Sequence, residues 1–287
     1  MATTTPPRSD TSRSPALPRS VVPFAAILVL MVLVALLAPL VAPADPNTQN
    51  LLARLKAPGF QNRGFTYYLG TDELGRDVLS RLIFGARISL LVAFASVLLS
   101  GIFGSILGMV AAFYRGWVET LIMRLVDIVL SVPAILLAII TVAILGPSLS
   151  NVVIVLALTR WPRYARVAYG QTLSVANMPY VRLSRFMGAG WLRLLGRHIL
   201  PNIAGALVVV ATLEFGLMVL FEAGLSFLGL GVQPPTASWG AMLSTGRNYV
   251  ASAWWIATFP GVALFLLVLS INLIGDHVRD RLDPRGR

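Results

Sequence analysis

The sequence predicts an all-α, polytopic membrane protein with six transmembrane helices. Only 12% of its 287 residues are charged and its mean hydropathy is +0.78, whereas a soluble domain carries roughly 25% charged residues. Several apolar stretches without Asp, Glu, Lys or Arg are long enough to span about 30 Å of hydrocarbon at about 1.5 Å per residue. Polar segments with turn-forming residues separate these stretches, which predicts repeated crossings of a cell membrane.

The chain opens with a polar segment followed by the first apolar stretch. Residues 1–20 are rich in Thr, Ser and Pro, and this composition predicts a disordered tail. Residues 21–44 carry no charge and predict the first transmembrane helix. The APAD sequence at its end resembles a signal-peptidase site, but the apolar stretch is longer than a signal peptide's core of roughly 7 to 15 residues. An uncleaved anchor is therefore favoured over a signal peptide.

A long polar segment precedes the second apolar stretch. Residues 45–87 predict an extracytoplasmic loop, which contains GTDELGRD at Gly70 to Asp77. The acids and the arginine of this motif favour a folded turn network over a docking surface. Residues 88–275 then form a core of five helices, the first of which is predicted over Ile88 to Tyr114.

Turn residues divide the rest of the core. The run from Ile128 to Thr159 has no charged residue and is too long for one span, but GPSLSN at 146–151 is a turn sequence. The remaining spans are predicted at Val118 to Leu145, Leu149 to Gly170, Ile203 to Phe227 and Asn248 to Gly275, with a tail at 276–287.

The distribution of basic residues orients these spans. With six spans both termini lie on one side, and that side receives 16 of the 23 Lys and Arg residues while the other receives 7. The positive-inside rule makes the richer side cytoplasmic. The net charge of +11 is thereby explained without a nucleic-acid partner.

The cytoplasmic loop at residues 174–201 has an unusual composition. The stretch from Pro179 to Asn202 carries five cations and no acid. Its pattern predicts a helix that begins at Pro179 and is capped by Asn177 or Ser174. A turn at Gly188 ends that helix, and a second helix leads to a bend at Pro201.

Both predicted loop helices are amphipathic. Tyr180, Leu183 and Met187 share one face of the first helix, and the second helix has apolar residues on one face and Arg193 and Arg197 on another. Such a pair of helices can dock into a groove of another protein. It can also lie on anionic lipid, and the residues alone leave both possibilities open.

Several motifs together resemble a known family. FMGAGWLRLLGRHILPN resembles the coupling loop of type I ABC importer permeases. Three further motifs are similar to the dipeptide and oligopeptide permease subfamily, and specifically to the second of the two permeases that pair in its importers. These motifs are GTDELGRDVLSRLIFGARISL, LSFLGLGVQPPTASWG and NLIGDHVRDRLDP. One place departs from the pattern: Arg182, Leu183 and Ser184 stand where the family usually has Glu-Ala-Ala.

This resemblance implies the type I ABC importer permease fold and an ATP-driven importer. The implied partners are a homologous permease, two cytosolic ATPase domains that bind ATP and magnesium, and an extracytoplasmic substrate-binding protein. This chain lacks a GxxxxGK[ST] loop, so it is expected to bind no cofactor and to be no enzyme. The residues expected to couple it to the ATPases are Arg182, Ser184, Met187, Gly188, Ala189, Ile199, Leu200 and Pro201.

Few acids are predicted at membrane depth, where a charge is costly. Glu214 falls near the midplane of the fifth span, and Glu222 lies about two turns nearer the outside. Either could line the translocation path, and Glu214 could instead pair with the partner permease. Asp127 is expected to pair with Arg124 on its own helix.

Tryptophan positions and the motifs of other protein classes also bear on the transporter hypothesis. Trp239, Trp254 and Trp255 are expected to anchor helix ends at the headgroups, with contact to a binding protein through the 229–239 loop as the alternative. A secondary transporter would be expected to carry an inverted repeat, and none is evident in the sequence. A membrane hydrolase would need a motif such as GxSxG or HExxH, which the sequence lacks.

Overall fold

The computed structural model describes residue 19 and residues 21–282. Within these residues the chain is helical apart from connecting loops and one two-stranded antiparallel hairpin. The predicted disordered segment at 1–20, except for residue 19, lies outside the described residues. So do the last five residues of the predicted C-terminal tail.

The helices and strands follow the predicted order of spans and loops. Their bounds are α1 Val22–Leu36, α2 Ala38–Val41, β1 Phe60–Asn62, β2 Phe65–Tyr67, α3 Val78–Tyr114, α4 Gly116–Ser131, α5 Ala134–Leu145, α6 Leu149–Ala176, α7 Pro179–Phe186, α8 Trp191–Arg193, α9 Leu200–Phe227, α10 Trp239–Gly246 and α11 Trp255–Leu282. A π-helical turn at Leu194–Ile199 joins α8 to α9.

Each of the six predicted spans corresponds to a helical segment: α1 with α2, α3, α4 with α5, α6, α9 and α11. Among the described residues, three helices are by themselves long and apolar enough to cross a membrane, namely α3, the helix from Trp191 to Phe227, and α11. The α1 helix is shorter, and α6 carries three arginines near its middle. Length and apolarity alone therefore identify fewer spans than the six that the sequence predicts.

The third predicted span is not one straight helix. It is broken into α4 and α5, whose axes differ by 92°. Pro133 explains the break, because a proline disfavours the helical conformation in the residue before it. Val132 accordingly has extended angles, φ −95° and ψ 133°. The expectation of a continuous helix from Val118 to Leu145 is wrong at this point.

Several helix ends also differ from the predicted bounds. The α3 helix starts at Val78, ten residues before Ile88, because the Asp77 side chain caps it by accepting a hydrogen bond from the Ser80 backbone N–H at 2.8 Å. The α11 helix starts at Trp255 and continues to Leu282, so it includes residues 276–282 of the predicted tail.

The core is built around α3 and α6, which pack side by side. Gly104 and Gly108 of α3 permit this approach, because a Cβ atom at Gly104 would lie 2.3 Å from the Trp161 carbonyl oxygen of α6. A small residue at every fourth position is a recurrent solution for close helix packing in membranes. The α9 and α11 helices complete the bundle around this pair.

Candidate functional site

The loop at residues 174–201, predicted to be cytoplasmic, folds into the two predicted helical pieces. The α7 helix begins at Pro179, which occupies its first turn, and ends before Gly188, whose φ is +83°. No side chain caps the start of α7. Asn177, one of the two predicted caps, instead donates from its side-chain amide to the Leu173 carbonyl at 2.8 Å and so belongs to the end of α6.

The second helical piece continues into the next span, and the bend expected at Pro201 stays a prediction. The helix runs without a break from Trp191 to Phe227. A π-helical turn at Leu194–Ile199 comes directly before Pro201, so the irregular backbone hydrogen bonding that a proline imposes within a helix coincides with this turn. Leu200 is exposed at this junction and Ile199 is fully buried.

Part of the predicted docking face is turned inward. Val181, Leu194, Leu195 and Ile199 are buried together against the adjoining ends of α3, α6 and α9. Ala189 is half-buried against the same cluster. These contacts attach the loop to the bundle, so the loop is a supported structure.

The rest of the apolar side chains point away from the bundle. Phe186 is 86% exposed and Met187 81% exposed. Leu183 and Leu192 are also exposed. Four large apolar side chains on a compact projection form a surface suited to a partner protein. We call these residues, Leu183, Phe186, Met187 and Leu192, the loop tip.

Polar contacts hold the loop tip in position. The Ser184 hydroxyl lies 3.3 Å from His198 Nε2, which ties α7 to the π-helical turn. The Arg185 guanidinium lies over the Phe113 ring, 5.6 Å from its centroid. Arg182 lines a cleft between α7 and the ends of α3 and α6, together with Arg115 and Arg185.

The second candidate site lies in the middle of the bundle. Glu214 of α9 is buried, and its two carboxylate oxygens face two arginines of α6: Arg160 Nε lies 2.7 Å from Oε2, and Arg163 Nη1 lies 3.2 Å from Oε1. Arg160 is buried and also lies over the Phe221 ring, 5.0 Å from its centroid. We call Arg160, Arg163 and Glu214 the midplane cluster.

Sequence reasoning missed the partners of Glu214. It considered the translocation path and the partner permease, whereas the structure brings this carboxylate to two arginines of the same chain. The signal was present in the sequence, because Arg160 and Arg163 are spaced three apart inside a predicted span and therefore share a helix face. Charged residues inside a span call for partners.

Glu222 lies in a different environment, two turns further along α9. It is fully buried, and its carboxylate oxygens accept hydrogen bonds from the hydroxyls of Ser89 and Ser226, both at 2.8 Å. Ser89 belongs to α3, so this contact joins α3 to α9. The position is an internal hydrogen-bonded link between the two helices.

Asp127 does not form the predicted pair with Arg124. Its Oδ1 atom accepts a hydrogen bond from Arg166 of α6 instead. Glu119, about two turns earlier on α4, accepts from the Tyr169 hydroxyl. Both contacts fasten α4 to α6, so tertiary packing prevails over the intrahelical spacing.

The extracytoplasmic motif forms the expected turn network. Asp72 Oδ2 lies 2.6 Å from Arg76 Nε and 3.4 Å from Arg81 Nε. Arg76 Nη2 also contacts Glu73 Oε1 at 2.9 Å. Burial of Glu73, followed by repulsion from Asp72, raises the pKa of the Glu73 carboxyl. All four charged groups form ion pairs within one short segment, and Glu73 Oε2 is the one oxygen of these pairs that is buried without a hydrogen-bond partner.

Two of the three predicted headgroup anchors belong to this extracytoplasmic region. Trp239 and Trp255 are buried, and their indole N–H groups donate to the backbone carbonyls of Leu82 at 2.9 Å and Thr71 at 3.0 Å. The anchoring expectation is therefore wrong for both residues. Trp254 is 52% exposed, so its role as a headgroup anchor stays a prediction.

Family comparisons agree with the predicted architecture. The family model described as "Binding-protein-dependent transport system inner membrane component" matches residues 104–287. The model "N-terminal TM domain of oligopeptide transport permease C" matches residues 21–58. Together they cover the first span and most of the helical core.

Similar proteins cover nearly the whole chain. The Pseudomonas aeruginosa "Di/tripeptide transport system permease protein DppC" is 49% identical over 90% of this chain and 86% of its own length. The Haemophilus influenzae "Dipeptide transport system permease protein DppC" is 43% identical over 90% and 88%. The probable D,D-dipeptide permease DdpC of Escherichia coli is 42% identical over 91% and 86%.

A solved structure shows the same fold. The inward-facing MetNI methionine ABC transporter aligns with a TM-score of 0.55 at 21% identity, covering 71% of this chain and 96% of that one. The all-α type I importer permease fold predicted from the sequence is confirmed by this alignment and by the family matches.

Proposed function

Because the chain belongs to the family of binding-protein-dependent transport system inner membrane components, we propose that it carries dipeptides or oligopeptides across the cell membrane with a second, homologous permease. A family member of this kind is the membrane permease component of an ABC importer and not its catalytic subunit. The relatives' names support peptides as the substrate. The binding protein outside and two ATPase domains inside, with ATP and magnesium, complete the proposed assembly.

The observation that carries the proposed coupling is the loop tip. Its apolar side chains are exposed on a projection that is itself packed against the helices. A rigid projection can transmit a displacement, whereas a loose loop cannot. When the ATPases close on nucleotide, movement of the docked loop tip would shift the bundle between outward-open and inward-open states.

Omission of components from a reconstituted importer tests this function. Vesicles containing this chain, the second permease, the ATPases and the binding protein should accumulate a labelled dipeptide when ATP is supplied on the cytoplasmic side. Omitting either permease, the ATPases or the binding protein should reduce uptake to background. Uptake by this chain alone, driven by an ion gradient, would instead establish a secondary transporter.

Both termini are proposed to be cytoplasmic. The positive-inside imbalance supports this orientation, even though Arg160, Arg163 and Arg166, counted on the cytoplasmic side, lie within α6. The chain has no cysteine, so single cysteines can be introduced directly. Cysteines at exposed Gln61 and Ser252 should react with an impermeant thiol reagent in intact cells, while one at exposed Ser174 should not. Reaction at Ser174 would reverse the orientation.

A further inference from the structure

The midplane cluster carries more positive than negative charge. Arg160 and Arg163 contribute two cations, and Glu214 is the one acid within ion-pair distance of either among residues 19 and 21–282. Arg160 is buried and takes the shorter contact to Glu214, at 2.7 Å. The surplus positive charge therefore resides on Arg163.

Arg163 is also the member of the cluster that is open to its surroundings. Its side chain is 53% exposed, against 6% for Arg160 and 2% for Glu214. Its ion-pair contact within the described residues is a single one of 3.2 Å, from Nη1 to Glu214 Oε1. Since a guanidinium has five N–H donors in a fixed fork, most of the donors of Arg163 remain available to a ligand.

The depth of Arg163 limits what can face it. It lies in α6, 14 residues after Leu149 and 7 residues before Gly170, the two ends of the predicted span, so about 21 Å from one end and about 10 Å from the other at about 1.5 Å per residue. A cation exposed within the bilayer is costly against lipid and normally faces a water-filled path or a protein partner. Arg166, one turn further along the exposed face, already has Asp127 as its partner.

We propose, on the basis of the peptide-import function above, that Arg163 binds the terminal carboxylate of the peptide as it crosses the membrane. The planar fork of an arginine matches a carboxylate, which it can bind through two parallel hydrogen bonds. The relatives with named cargo are called di/tripeptide and dipeptide permeases, and an unmodified dipeptide carries a free carboxylate. The site selects for the backbone end that all such cargo share, whatever the side chains.

Glu214 gives this site a means of release. With no cargo present, Arg163 is held by Glu214 at 3.2 Å, so its side chain stays near the path in a defined position. A substrate carboxylate competes with Glu214 for the same guanidinium and is held weakly as a result. Transport requires binding that is strong enough to admit a substrate and weak enough to release it.

Photolabelling of the assembled importer tests the assignment without the selectivity of the binding protein. The probe is a dipeptide that contains benzoylphenylalanine and a free carboxylate, compared with the same dipeptide as its terminal amide. In the importer of two permeases and ATPases, labelling of this chain by the acid should exceed labelling by the amide about tenfold, the effect of one charge-assisted contact. Arg163→Gln should abolish that preference, and Arg163→Lys should retain part of it.

A matched control removes the ion pair between Asp127 of α4 and Arg166, which lies one turn from Arg163 on α6. The double variant Asp127→Asn with Arg166→Gln leaves the net charge unchanged, so the preference for the acid over the amide should persist. Equal labelling by acid and amide in the unaltered importer, or an unchanged preference in Arg163→Gln, would overturn the proposal.

Two further readouts separate the remaining outcomes. Loss of the second permease from purified Arg163→Gln importer would mean that Arg163 pairs with an acid of that subunit, which also overturns the proposal. An unaltered importer that accumulates no dipeptide would refute the proposed function itself. Dipeptide accumulation without an acid preference would refute only the assignment of Arg163.

Discussion

The two ends of the molecule carry loops that share arginines and a glycine of positive φ but differ in their acids and in structure. The outer loop, Gly70–Arg81, and the inner loop, Pro179–Ile199, each combine arginines with a glycine of positive φ, +71° at Gly75 and +83° at Gly188. In the outer loop Asp72, Arg76 and Arg81 are buried and paired with one another. In the inner loop the loop tip is exposed.

The glycines show the same difference. A Cβ atom at Gly75 would lie 1.8 Å from the Asn50 carbonyl oxygen, whereas one at Gly188 would have no atom within 4 Å. The outer loop is thus enclosed by its own chain, and Trp255 closes it further through the hydrogen bond to Thr71. The inner loop has open space around its turn, which leaves room for the proposed partner protein.

The comparison shows which contacts stabilise each loop. The outer loop is completed by contacts within the chain, so its substitutions should act on folding. In the inner loop, Val181, Leu194 and Ile199 are buried against the bundle, whereas the loop tip is exposed. Substitutions at its tip should therefore act on assembly with the ATPases.

The largest effect is expected from Gly75→Ala. The added methyl group would overlap the Asn50 backbone, and the alanine would also have to adopt the positive φ of Gly75. The combined cost should exceed about 3 kcal/mol. We expect little or no folded importer after detergent extraction, measured as the monodisperse fraction in size-exclusion chromatography and by the midpoint of thermal unfolding.

Gly64→Ala is the matched control for this variant. Gly64 has φ +80°, but a Cβ atom there would meet nothing within 4 Å. Its cost should be limited to the left-handed backbone, about 1 to 2 kcal/mol, and the folded yield should largely persist. Equal yields from the two variants would mean that the contact with Asn50 does not hold the outer loop.

The features that were predictable from the sequence are those encoded locally. Apolar runs predicted the six helical segments, and Pro179 with Gly188 predicted the bounds of α7, because such signals act within a few residues. Pro133 carried an equally local signal for the break between α4 and α5. It was overlooked because the apolar run on both sides is continuous.

The features that were not predictable depend on residues far apart in the chain. Glu214 meets Arg160 across 54 positions, Asp127 meets Arg166 across 39, and Trp239 meets the Leu82 carbonyl across 157. A sequence states that a charge at membrane depth needs a partner. It does not state which of several cations will be brought beside it, because helix packing decides that.

A smaller effect, confined to assembly, is expected from Gly188→Val. A β-branched residue at φ +83° is strained by on the order of 1 to 3 kcal/mol. Because the turn has open space around it, the strain should distort the loop tip while the bundle stays folded. Co-purification of the ATPases and ATP-driven dipeptide uptake should both fall, and the binding protein should still bind outside.

The double variant Arg193→Gln with Arg197→Gln separates this outcome from attachment of the loop to lipid. A helix on an anionic membrane surface owes its affinity to buried apolar area and cationic charge, and valine at position 188 removes neither. If the loop tip docks on the ATPases, Gly188→Val lowers uptake more than the loss of the two arginines does. The reverse order, with normal uptake in Gly188→Val, would assign the inner loop to the lipid surface, because only there does charge outweigh the shape of the turn.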